Sequence, residues 1–243
     1  MLIYYISVIS LIIQLITGSI DAWGLTLSLP DKHLIFRDIL TIELSIQIIE
    51  AIFYVWLVSR IKSSDSGITK YRYIDWFITT PTMLITLMAY LNHNKYTSDT
   101  GNGVLDVPYS TEKSYRIWDF LSDNKSDILA VVGLNSLMMI IGLVGELGWA
   151  PMTFTAAIGF IPFIAYFRRI WNKYVADQPG AQLGHFKIIF WYFVGFWSLY
   201  GVAAFLPHTP KNIMYTVLDI FAKNILGIIL VYIIWKYHTG EWK

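Results

Sequence analysis

The chain has 243 residues, of which 56% are hydrophobic and 14% charged, and its formal net charge is +1. A soluble domain carries about 25% charged residues, so the composition excludes an ordinary soluble domain, and the missing basic excess excludes a nucleic-acid-binding surface. Cysteine is absent, which removes disulfides, thiolate metal sites and cysteine nucleophiles.

Long charge-free stretches divide the chain into seven hydrophobic spans, each near the roughly 20 residues needed to cross bilayer hydrocarbon. They predict an all-α, seven-transmembrane-helix bundle that forms a single domain over residues 1–243. The first span, Leu2–Ile20, follows Met1 with no basic leader and no cleavage site, and is read as retained. It carries Ser7, Ser10, Gln14 and Thr17, spaced 3, 4 and 3 apart. The second, Leu34–Ile61, carries Glu43, Gln47 and Glu50, spaced 4 and 3 apart. Each set is a polar stripe on one face of an apolar helix.

The third span, Lys70–Leu91, puts Arg72, Asp75, Thr79 and Thr86 on one face. Thr80 and Pro81 follow, where proline frees a backbone carbonyl and bends the helix. A long polar connection then covers residues 92–127, with Thr97–Gly103 at its centre, and is read as a linker. Within it, Tyr115–Leu121 predicts a short interfacial helix. Its acids Asp99, Asp106, Glu112, Asp119 and Asp123 are expected to be solvated and form no metal site.

The fourth span is Ile128–Trp149 and the fifth Met152–Trp171. The sixth, Phe186–Leu206, has Trp197 and Tyr200 one turn apart. The seventh, Asn212–Lys236, has Tyr215, Asp219 and Lys223 one turn apart. The histidines His33, His93, His185, His208 and His238 all fall in loops or near span ends, lack metal-ligand spacing, and are expected to be solvated. Basic residues concentrate on the side of the C-terminus, against Arg60, Lys62, Lys70 and Lys211 on the other. The positive-inside rule therefore predicts the N-terminus outside and the C-terminus in the cytoplasm.

Lys223 is the most informative residue. A lysine at membrane depth is costly and marks a functional site by default. Carboxylates beside a buried amine keep it charged, so Asp75 and Asp219 are expected to face Lys223 and hold an imine protonated if the amine binds an aldehyde. A purely structural charge cluster locking two helices is the alternative. Trp76, Trp197 and Tyr200 are candidate walls for a flat apolar ligand.

At these residues the sequence resembles the microbial rhodopsins over nearly its whole length. Arg72–Pro81 looks like the family's third-helix signature, and Val217–Lys223 like the segment around its retinal lysine. Ile128–Gly133 with Gly142–Gly145 is similar to the fourth helix, and Trp197–Tyr200 to the sixth. The resemblance implies all-trans retinal, covalently bound as a protonated Schiff base on Lys223. It implies Asp75 as main counterion and proton acceptor, Asp219 as second counterion, Thr79 beside them, and Arg72 as organiser of outward-facing water. Trp76, Trp197 and Tyr200 would line the polyene, Thr80 and Asn135 would face each other, and Met83, Met138 and Gly142 would sit near the chromophore. A homo-oligomer, trimer or pentamer, in membrane lipid is also implied.

The position that holds a cytoplasmic proton donor in the family's pumps falls on Thr86, which cannot reload an imine as a carboxylic acid can. The turn Pro207–Lys211 lacks the family's proton-release acids. Asn224 follows Lys223, and with Ser10 (or Ser7) and Glu43 it resembles the central constriction of channelrhodopsins. Carboxylate-lined pores favour cations. The stripes of the first two spans therefore read as an ion pathway, a proton relay or structural hydrogen bonding. The expected function is a light-gated cation channel that passes small cations or protons, with an outward proton pump and a photosensor as alternatives. The chain also looks like rhodopsins of large algal viruses. No enzymatic activity is expected.

Overall fold

A computed structural model describes residues 2–61, 67–99, 114–176 and 183–241, without the side chains of 94–99, 183 and 185. Its helices are α1 (Leu2–Gly24), α2 (Leu34–Ile61), α3 (Ile68–Asp99), α4 (Ile117–Asp123), α5 (Lys125–Glu146), α6 (Met152–Tyr174), α7 (Leu183–Ala203) and α8 (His208–His238). A single 3-10 turn, Asp31–His33, precedes α2. The seven long helices form a bundle, and α4 is a short piece before α5. Six of the seven are long and apolar enough to cross a membrane among the described residues. The seventh, α6, is 23 residues long but ends on Arg168, Arg169 and Lys173, which lowers its mean hydropathy. It packs on both α5 and α7.

Side chains on the outer surface are apolar, as lipid requires. On α1, Ile9, Ile12 and Ile16 are 53%, 51% and 56% exposed, while Ser7, Ser10, Gln14, Thr17, Asp21 and Gly24 are all buried. This helix is thus polar inside and apolar outside. Its inner face meets α2 and α8. The main apolar core lies toward the C-terminal end of the bundle, around Ile39, Leu87, Phe120, Tyr166, Phe193 and Leu230.

The connection over 92–127 is partly helical: α3 continues to Asp99, α4 starts at Ile117 and α5 at Lys125. Its centre, with Asp106 and Glu112, lies outside the described residues, as do Lys62 and the side chains of Asp99 and His185. Asp119 accepts the Arg116 backbone N–H at 3.0 Å and starts α4. Arg116 grips Asp38 of α2 at 2.7 and 2.6 Å. The other end of the bundle has Lys211 bonded to Glu146 at 2.7 Å, tying α8 to α5. α8 begins at His208 rather than after the turn, because proline in a first helical turn has no N–H to satisfy.

Two of the histidines are not solvated. His33 and His93 are buried, and Nδ1 of the first lies 3.3 Å from Nε2 of the second. Phe36 and Tyr237 stack around the pair. The reason is that α3 runs past the predicted span end, so residue 93 still faces the bundle axis.

Candidate functional site

α3 and α8 turn their polar faces toward each other in the middle of the bundle. The 3–4 spacing that brings Arg72, Asp75 and Thr79 onto one side of α3 does the same for Asn212, Thr216, Asp219 and Lys223 on α8. All are buried. Lys223 Nζ donates to Asp75 Oδ2, and Glu50 Oε1 of α2 lies 3.4 Å from the same nitrogen. Arg72 Nη1 pairs with Asp219 Oδ2 at 3.0 Å. That carboxylate also accepts Tyr54 and Tyr200 hydroxyls, each at 2.7 Å. Arg72 Nη2 donates to Thr216 Oγ1 at 2.7 Å and Nε to Asn212 Oδ1 at 3.3 Å.

The charges therefore divide into two groups. Lys223 belongs to Asp75 and Glu50, whereas Asp219 belongs to Arg72 and two tyrosines. Removing one partner of a buried ion pair costs about 3–5 kcal/mol, since the other charge is left uncompensated. Arg72→Gln is accordingly expected to lower the melting temperature of the detergent-solubilised protein by several degrees; an unchanged Tm would show that Tyr54 and Tyr200 suffice to hold Asp219.

Lys223 stands at the end of an apolar cavity walled by α3, α5, α6, α7 and α8. Trp76, Met83, Met138, Phe160, Trp197 and Tyr200 line it. Trp76 meets Tyr200 and Tyr215 edge-on, with centroids 5.5 and 5.0 Å apart. Two glycines keep it open. A Cβ at Gly142 would lie 2.7 Å from the Tyr73 hydroxyl, and one at Gly201 would lie 2.5 Å from Phe160 Cζ. Asn135 Nδ2 donates to Thr80 Oγ1 at 2.9 Å beside the cavity.

A second set of polar residues lies between α1, α2 and α8: Thr17, Gln47, Glu43 and Asp21 extend from Lys223 toward the C-terminal end, and Gln14, Ser10 and Ser7 extend the other way along α1. Asn224 Oδ1 accepts from Thr17 Oγ1 and from Gln47 Nε2, both at 2.6 Å. Thr86 Oγ1 donates to Glu43 Oε1 at 2.5 Å. Gln14 donates to Ser10 at 3.1 Å. Ser10 and Asn224 thus do not meet Glu43, and Asn224 is tied by Thr17 and Gln47 instead. Among the described residues, Ser7 Oγ, Gln14 Oε1, Gln47 Oε1, Glu43 Oε2 and both oxygens of Asp21 have no hydrogen-bond partner although buried.

Some of these residues escape the sequence reading. Tyr54 lies four residues beyond Glu50 on the polar face of α2, so the spacing carries it. Asp21 lies four beyond Thr17, but the predicted span stops at Ile20. Asn212 and Thr216 lie seven and three residues before Asp219, so the same spacing carries them, whereas Phe160 has no comparable signal.

The pattern of a family described as bacteriorhodopsin-like proteins matches residues 2–237. The opsin-like protein carO of Fusarium fujikuroi is 24% identical over 172 residues, covering 66% of this chain and 46% of that protein. The chain thus spans about half the length of the curated relatives it matches. Among solved structures, viral rhodopsin OLPVRII superposes with a TM-score of 0.77 at 25% identity, over 100% of both chains. The blue light-absorbing proteorhodopsin from Med12 gives a TM-score of 0.70 at 15% identity, again over 100% of both. Xanthorhodopsin, a light-driven ion pump with dual chromophore, gives 0.70 at 15%, over 99% of this chain and 94% of that one.

Proposed function

The chain belongs to the bacteriorhodopsin-like protein family, an integral multi-pass membrane protein of the microbial rhodopsin fold, and from that premise we propose that it is a light-gated cation channel. Family membership implies a retinal chromophore and ion translocation on illumination. The cavity fits such a group: it is aromatic-walled and apolar, two glycines leave room where a Cβ would intrude, and its one amine among the described residues is Lys223. All-trans retinal bound covalently at Lys223 Nζ, held by Trp76, Met83, Met138, Trp197 and Tyr200, is the arrangement these residues support. When bound there, it supplies light absorption and a change of shape.

The remaining work falls to the chain itself. Asp75 holds the Lys223 nitrogen by a direct hydrogen bond and is the acceptor for its proton. Arg72, Tyr54 and Tyr200 hold Asp219 in place, which fixes the outer side of the site. Thr86 cannot return the proton; Glu43, held on Thr86 from α2, can. Asn224 is the neighbour of Lys223, so movement at Lys223 strains the Thr17–Asn224–Gln47 junction.

One observation carries the channel reading: the file of buried polar groups between α1, α2 and α8, several of them unpartnered. An unpaired buried polar atom is costly unless water reaches it, and acids at membrane depth line wet cavities and favour cations. The basic residues at the C-terminal end of the bundle support an orientation with the N-terminus outside and the C-terminus in the cytoplasm.

Photocurrent measured against voltage, with sodium, potassium and proton gradients varied in turn, tests this. A current that reverses with a cation gradient is expected. Glu43→Gln should change the current's size or selectivity while the visible band stays, and an unaltered photocurrent would remove Glu43 from the path. The Glu43–Thr86 bond also supports a second reading, an outward proton pump in which Glu43 replaces the missing donor. Current that keeps its outward sign against the gradient would establish it.

A further inference from the structure

Asp21 is used neither by the Lys223 cluster nor by the cavity. It lies in the last turn of α1, wholly buried, with no hydrogen-bond partner for either carboxyl oxygen among the described residues. Its carboxyl leans on the backbone of α8: Oδ2 and Oδ1 are 2.5 and 2.8 Å from the place a Cβ would take on Gly227. A glycine at that position is what leaves the carboxyl its room. Gly227 is one turn beyond Lys223, and Asp21 is one turn beyond Thr17, whose hydroxyl binds Asn224. On α2, Glu43 is one turn beyond Gln47, which binds the same Asn224. Asp21 and Glu43 thus occupy the next level of the polar file, buried on the packed helices α1 and α2. Glu43 uses one oxygen on Thr86 and keeps Oε2 free.

Beyond Asp21 the file is shut by apolar contact. A Cβ on Gly24 would come 2.6 Å from Val231 Cγ2 and 3.1 Å from Leu40 Cδ2, so α1, α2 and α8 touch there. Among the described residues, Asp21 is therefore the last acid of the file before that seal.

We propose that Asp21 is the terminal proton-relay residue of the file, reloading Glu43 with a proton. The Asp21 O–H bond breaks and an O–H bond forms at Glu43 Oε2, directly or through one water, after Glu43 has passed its own proton toward the Lys223 nitrogen. Asp21 regains a proton from water that crosses the Gly24–Leu40–Val231 layer. This rests on the reading above that the Lys223 nitrogen gives up and recovers a proton through Glu43.

The test is flash spectroscopy of the retinal-loaded protein, paired with infrared titration of the colourless apoprotein. In Asp21→Asn the visible band and proton loss from the Lys223 nitrogen should match wild type. Its return should slow by about tenfold or more, with added azide as a soluble proton carrier restoring the rate and Asp21→Glu retaining it. Return at the wild-type rate in Asp21→Asn would overturn the relay. In the apoprotein, the infrared carboxyl band of Glu43 should titrate at a different pH in Asp21→Asn than in wild type; an unmoved titration would overturn the pairing of the two acids. A moved titration in a wild-type pigment whose Lys223 nitrogen never loses its proton would instead uphold the pair and refute the functional reading beneath it.

Discussion

Lys223→Ala abolishes the visible absorption band: this is the largest effect expected of any single change. The chain offers one amine at the end of the apolar cavity, and no other lysine appears among its lining residues. Substitution also leaves Asp75 and Glu50 facing each other without their cation. A carboxyl pair of that kind relaxes by holding a proton, so the fold is expected to survive the loss. The measurement is absorbance after adding retinal to membranes of the variant, with circular dichroism to verify its helices. Colour in a folded Lys223→Ala protein would sink the retinal assignment altogether.

Asp75→Asn is expected to move the band to longer wavelength and to prevent the fast transfer of the Lys223 proton. A counterion stabilises positive charge localised on the nitrogen in the ground state more than in the excited state. At 4 Å and an effective dielectric of 20 such a pair is worth about 4 kcal/mol, which corresponds to a shift on the order of tens of nanometres. Glu50 makes the experiment discriminating. It lies 3.4 Å from the same nitrogen, so Glu50→Gln tested beside Asp75→Asn ranks the two acids. No shift in Asp75→Asn, with a shift in Glu50→Gln, would transfer the counterion role to α2.

The bundle itself was legible in the sequence, because seven apolar runs and helical spacing of their polar residues are local properties. The spacing that predicts a polar face on α3 and on α8 equally predicts their facing each other. What spacing does not contain is the pairing across that interface. Asp219 and Lys223 are a turn apart and read as partners, yet Asp219 is taken by Arg72 and two tyrosines while Lys223 takes Glu50 from α2. Such choices depend on how far each helix slides along its neighbour, which no single helix encodes. Span ends are the other weak point. Hydropathy falls where a helix leaves lipid rather than where it stops, so the hydropathy pattern excludes Asp21 from α1 and His93 from α3, although both helices continue through them.

The inverted character of α1 bears on how the protein is made. Its hydrogen-bonded and unpaired polar groups look toward α8, and Thr17 reaches its partner Asn224 across 207 positions of the chain. A nascent chain synthesised from its N-terminus holds this first helix in the membrane before the last one exists. Until α8 arrives, the serines, Gln14 and Asp21 have no second wall. The seam between first and last helix is thus the closing event of assembly, and a chain cut short before α8 is left as an open bundle with its polar interior facing lipid.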